Sequence, residues 1–267
     1  MRTLTLLTAL IVLTLSSCSA THSTQSIDNL LFVGNSLTYV GNIPAVFAEL
    51  SADNGRPVSS DMIVQGGATL TQRVSDGSVA RALEEKKYSV LVLQERGGDL
   101  MCSFGPDSCI ESRNAVHTLA GLAKAKGITV VLLGTYQADA SASRSLVDSE
   151  SSAAAEAKIS YINVSEALQR LRLNAPELAW FASDGMHPGK DLVLLNAILL
   201  HKAIHGSLPE PQSLIVSAPI YGTTSGLTQE LRQADAPPPL PETPLEVRYS
   251  SETFAKLLRA VSDGTGS

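Results

Sequence analysis

One ten-residue stretch, residues 30–39 (LLFVGNSLTY), constrains this chain more than any other. Its apolar run stops at Gly34-Asn35, which predicts a strand buried on both faces. Ile43, Val46, Phe47 and Leu50 then repeat at helical spacing, with Pro44 in the first turn, where its missing N–H costs nothing. A strand of that kind needs cover on both sides, so the stretch points to a parallel α/β sheet. It also sets Ser36 at the C-terminal end of the first strand, the edge where open α/β sheets bind ligands. Ser36 can be a nucleophile there, or a capping or turn serine.

A second stretch bears on that choice. Asp184-Gly185-Met186-His187-Pro188 holds an acid and an imidazole three positions apart in a Gly/Pro-punctuated turn. A hydroxyl nucleophile needs a base for its proton, and the base needs a carboxylate to fix its tautomer and stabilise the imidazolium. Asp184 and His187 can meet within one turn. Gly34-Asn35-Ser36-Leu37 and Asp184-Gly185-Met186-His187 together resemble the blocks of the SGNH hydrolases, the GDSL-type esterases, over roughly residues 28–206. The resemblance implies Ser36 as nucleophile, with His187 and Asp184 completing a catalytic triad. Asn35 stands where that family usually has Asp, a position outside the triad.

Between the two blocks the chain alternates. Residues 56–64, 89–93, 128–133 and 160–164 read as strands, and 79–87, 114–126, 142–157, 165–173 and 192–204 as helices. Gly127 and Gly206 fall where helix C-caps belong. With the first strand this predicts an α/β fold, a three-layer α/β/α sandwich around a central, mostly parallel five-stranded sheet, SGNH/flavodoxin-like.

Acyl transfer also needs donors aimed at the developing oxyanion. The resemblance implies three: the Ser36 N–H, a glycine N–H from a second block, and an Asn side chain from a third. The second block maps onto Gly66-Gly67, with Gly67 favoured, although a plain tight turn would use the same residues. The third departs from the family pattern: Gln94-Glu95-Arg96-Gly97-Gly98-Asp99 has Gly98 where the Asn belongs. Gln94, at the end of its strand, carries an equivalent carboxamide and is the candidate donor. A strand-end polar residue bonding the backbone is the alternative.

His201 and His205 lie one helical turn apart, a spacing that suits zinc. With no third ligand and no metalloprotease Glu they read instead as a half-exposed helix face. No metal or other cofactor is expected. A net charge of −6 without a basic cluster argues against nucleic acid as a partner, and 4% aromatics against a broad sugar-stacking platform.

Residues 1–17 read as an export signal, Arg2 followed by an apolar segment over 4–15 that is short for a membrane span. Leu15-Ser16-Ser17-Cys18 resembles a bacterial lipobox, which implies lipidation of Cys18, a tether over 18–27 and an envelope lipoprotein anchored without spanning. Ser19 after the cysteine resembles the outer-membrane pattern; an ordinary secretory signal with an incidental Cys is the other reading. Cys102 and Cys109 remain, a pair that an oxidising compartment can close into a small loop, or two unrelated thiols.

Residues 207–267 follow the expected hydrolase domain at 28–206. They hold a candidate edge strand at 213–216, a Pro-rich polyproline-type linker at 236–241, and Phe254, Leu257, Leu258 and Val261 at amphipathic-helix spacing. That helix either docks back or binds a partner. The whole reads as a lipid-anchored serine esterase for a small-molecule or glycan ester, an O-acetyl or short acyl group being favoured. A lipid or thioester hydrolase with the same triad, and a non-catalytic binding lipoprotein on the same fold, are the alternatives.

Overall fold

A computed structural model of the chain describes residues 27–137 and 139–263. The signal segment, Cys18 and the tether up to residue 26 lie outside the described residues. Among those described, no helix is long and apolar enough to cross a membrane.

Five parallel strands form the sheet expected from the sequence: β1 Asn29–Gly34, β2 Ser59–Val64, β3 Val90–Leu93, β4 Thr129–Leu133 and β5 Ser160–Ile162. Their order is β5-β4-β3-β1-β2. Leu30 of β1 pairs with Ser60 on one side and Val90 on the other. Alternate β1 residues serve opposite cores, Leu30 and Phe32 in one, Leu31 and Val33 in the other, which is why the strand is apolar throughout.

The first core is closed by α2 Ile43–Asp53, α7 Val164–Asn174 and α8 Lys190–His205, and the second by α4 Ser78–Glu85, α5 Pro106–Lys124 and α6 Ala140–Ala157. The result is a three-layer sandwich. The strand order reverses beside β1: β2 is added on one side and β3, β4 and β5 on the other, so the ends of β1 and β3 flank a switch point, where such sheets open a ligand crevice.

The C-terminal extension corrects two expectations. The sheet has six strands, because β7 Arg232–Gln233 adds antiparallel to β2, pairing Met62 with Arg232. The strand β6 Leu214–Val216 is not on the main sheet's edge. It pairs with β8 Val247–Tyr249 in a separate ribbon, burying Leu214 and Val216 against the first core. The Pro-rich segment is held at its start by the Arg232 guanidinium, which donates to the carbonyls of Ala236 and Pro237. Helix α9 Ser251–Asp263 docks back onto the first core through Phe254, Leu257, Leu258 and Val261.

Two local readings also change. Helix α5 begins eight residues earlier than its apolar period suggests, with Pro106 in its first turn, so Cys109 is helical; its sulfur is bonded to Cys102. His201 is not half-exposed but 1% exposed; its Nδ1 donates to the Ser207 carbonyl at 2.9 Å, and the His205 ring is stacked on Phe47. Burial depresses both imidazoles, His205 to about 4.

Candidate active site

The turn after β1 is built by small residues. A side chain at Gly34 would fall 2.1 Å from Thr38 Oγ1, so only glycine fits. Asn35 then caps α1 Ser36–Tyr39, its Oδ1 accepting the Leu37 N–H at 3.0 Å. Ser36 is thereby the first residue of a single helical turn, and its N–H donates to no protein acceptor among the described residues. The Asn35 Nδ2 is buried and likewise without an acceptor.

Gly66-Gly67 sits in a tight turn in which the Ala68 N–H donates to the Gln65 carbonyl, and Gly67 takes a φ of 69° that favours glycine. The turn runs into α3 Leu70–Ser75, a helix with a Thr69/Gln72 capping box. Glu95, at the end of β3, ties this element to the third block: its buried carboxylate accepts from the Leu70 N–H at 3.2 Å and the Arg96 N–H at 2.8 Å. Burial pushes its pKa up to about 7.

Gln94 is not placed as the candidate oxyanion donor. Its Oε1 accepts the Thr38 hydroxyl at 2.7 Å and its Nε2 faces the Gly134 carbonyl at 3.4 Å, in a side chain 1% exposed. The carboxamide is turned inward, bracing the Ser36 turn against the ends of β3 and β4, in line with the backbone-bonding alternative.

The acid–imidazole loop meets this edge from the other side. Asp184 Oδ2 lies 2.6 Å from His187 Nδ1, while Oδ1 accepts the N–H groups of Met186 and His187 at 2.9 and 3.0 Å. Those two backbone donors, then the imidazole, pull the Asp184 pKa down to about 2, so it is a carboxylate at any ordinary pH. The Tyr136 hydroxyl, at the end of β4, donates to the Met186 carbonyl at 3.0 Å and braces the loop. Gly189 closes it where a Cβ would stand 2.2 Å from the Ala179 carbonyl oxygen.

One cavity of about 610 Å³ takes in Ser36, Gly66, Gly67 and His187 together. No hydrogen bond joins Ser36 to His187 among the described residues; such contacts often tighten only on substrate binding. Residues that sequence reasoning did not single out complete the walls: Arg96, Phe104, Tyr136, Phe181, and Thr223 from the extension, whose carbonyl accepts the Tyr39 hydroxyl. Chain-wide aromatic content hid a local enrichment, since Tyr39, Phe104, Tyr136 and Phe181 all line this one space. Tyr136 was within reach of sequence reasoning, because it follows a predicted strand at the ligand edge. An Asp–His pair and a serine hydroxyl at one cavity, with the Ser36 N–H unengaged among the described residues, can serve acyl transfer.

The architecture is the SGNH-hydrolase fold. It resembles a protein from Slackia heliotrinireducens assigned provisionally to the SGNH hydrolases (TM-score 0.56, 23% identity, 66% of this chain and 98% of that chain). It also resembles a variant of Axe2, an acetyl xylan esterase from Geobacillus stearothermophilus (TM-score 0.55, 15% identity, 69% of this chain and 98% of that one). A third likeness is to the psychrotrophic esterase EstA from Pseudoalteromonas sp. (TM-score 0.52, 13% identity, 67% and 97%). No protein-family model matches the sequence, and no curated protein does.

Proposed function

We propose that the chain is a serine ester hydrolase. The observation that carries this is the Asp184–His187 pair opening on the same cavity as Ser36. Nδ1 of His187 is engaged by Asp184, leaving Nε2 as the base for the Ser36 hydroxyl. Ser36 Oγ attacks the ester carbonyl, and the Ser36 and Gly67 N–H groups receive the oxyanion. His187 then protonates the departing alcohol, and water, activated by the same imidazole, releases the acid from the acyl-enzyme.

A short acyl ester of a glycan is the favoured substrate. The fold likeness to an acetyl xylan esterase supports that choice. The chain is exported and anchored through a lipid on Cys18 in this reading, and the bonded Cys102–Cys109 pair suits an oxidising compartment.

The test is hydrolysis of p-nitrophenyl acetate by a form beginning at Ser19, beside Ser36→Ala and His187→Ala. Both variants should lose roughly four orders of magnitude or more in kcat. A p-nitrophenyl ester series of rising acyl length separates a glycan deacetylase from a lipid hydrolase. A protein that turns over no ester and is not labelled at Ser36 by a fluorophosphonate would be the binding lipoprotein instead.

A further inference from the structure

Among the described residues that line the cavity, Arg96 alone carries a fixed charge, and it is positive in a chain of net charge −6. Its guanidinium is clamped. Nε and Nη2 donate to the two carboxylate oxygens of Asp99 at 2.8 and 2.9 Å, and Asp99 is itself 1% exposed. The Phe104 ring covers one face, 4.1 Å from Cζ. The Cys102–Cys109 bond closes the loop that carries Phe104.

With Nε and one Nη2 hydrogen committed inward, the Nη1 hydrogens and the second Nη2 hydrogen donate to no acceptor among the described residues, on a side chain 35% exposed. They form a second planar fork, the geometry that receives a carboxylate through two parallel bonds. Arg96 and Phe104 both line the cavity, and Phe104 is 56% exposed, so this wall is open to solvent. In the serine-esterase reading the ester carbonyl sits at Ser36, with the short acyl group set away from Arg96 and the alcohol portion toward it.

We propose that Arg96 is a specificity-determining residue that selects esters whose alcohol portion carries a carboxylate. On a glycan this is an acyl ester on, or beside, an acidic sugar unit. The inference rests on the serine-esterase reading above and deepens it.

The experiment compares 3-carboxyphenyl acetate with its neutral isostere, 3-carbamoylphenyl acetate, in wild type, Arg96→Gln and Arg96→Lys. The quantity read is the ratio of kcat/KM values for the two esters; comparing it between proteins cancels their intrinsic reactivity. The ratio should fall about ten- to hundredfold in Arg96→Gln, and by less in Arg96→Lys, which keeps charge but loses the fork. Should Arg96→Gln fail to fold around a stranded Asp99, the double variant Arg96→Gln/Asp99→Asn removes both charges and should show the same fall. In wild type, the product 3-hydroxybenzoate should inhibit more strongly than 3-hydroxybenzamide, and the difference should shrink with added salt. An equal ratio in all proteins, or equal inhibition by the two products, overturns the role of Arg96 while leaving the esterase intact. No turnover of either ester would overturn the esterase reading and this inference with it.

Discussion

Asn42 offers the sharpest test of how the C-terminal extension supports the site. It follows α1 by three residues, caps α2, and sits in the left-handed region at φ 60°. Its Nδ2 donates to the carbonyls of Pro219 and Ala234, both at 2.8 Å, and its Oδ1 accepts the Ala45 N–H at 3.2 Å. The side chain is 0% exposed, so water cannot replace it freely. Asn42→Ala removes two buried hydrogen bonds, about 1 kcal/mol each, and a helix cap worth about 1 kcal/mol. It also puts alanine where left-handed backbone costs a further ~1 kcal/mol. The total, about 4 kcal/mol, is a large part of a typical folding stability. Asn42→Gly restores the backbone and most of the cap, so its loss should be near 2 kcal/mol. Urea unfolding of the three proteins, followed by circular dichroism, measures both differences. A loss below ~1 kcal/mol for alanine, or equal losses for alanine and glycine, would refute the hydrogen-bond and backbone arguments respectively.

Other consequences are as direct. Burial raises Glu95 from 4.5 to about 7, so the folded protein holds a proton that the unfolded chain releases in that range. Stability therefore falls as pH climbs through it, by up to roughly 3 kcal/mol, and thermal melts of Glu95→Gln from pH 5 to 8 should lack that part of the slope. Cys102→Ser opens a short loop and should cost about 2–3 kcal/mol. A reductant should lower the wild-type melting point and leave that of Cys102→Ser unmoved. Gly189→Ala drives a Cβ into the Ala179 carbonyl and must shift the loop holding Asp184 and His187. Ester hydrolysis should drop more than about tenfold, whereas Gly185→Ala, with open space around it, should cost only ~1 kcal/mol of left-handed strain and be measured in the same assay.

The parts of this molecule legible in its sequence are those whose signal is local. The apolar run of β1 must be buried on both sides, and β3 and β4 carry the same mark. The spacing of Asp184 and His187 likewise sufficed to expect their contact. What escaped depends on distant partners. Two residues, Arg232 and Gln233, form a strand only because β2 offers an edge, and no periodicity announces them. Gln94 has the same chemistry whether it faces a cavity or Thr38; only the packing of α1 against β3 decides. His201 read as half-exposed in the sequence, yet the chain after α8 folds back and its Ser207 carbonyl accepts a hydrogen bond from the imidazole Nδ1.

The grip of Asn42 also has a consequence in time. The carbonyls it binds belong to residues 177 and 192 positions further along the chain. Synthesis runs from the N-terminus at about 5–20 residues per second, so those partners emerge some ten seconds or more after Asn42 itself. Contacts of such long separation form late in folding. The serine turn is among the first segments made and among the last to be secured, and no nascent chain that stops short of Ala234 carries its finished form.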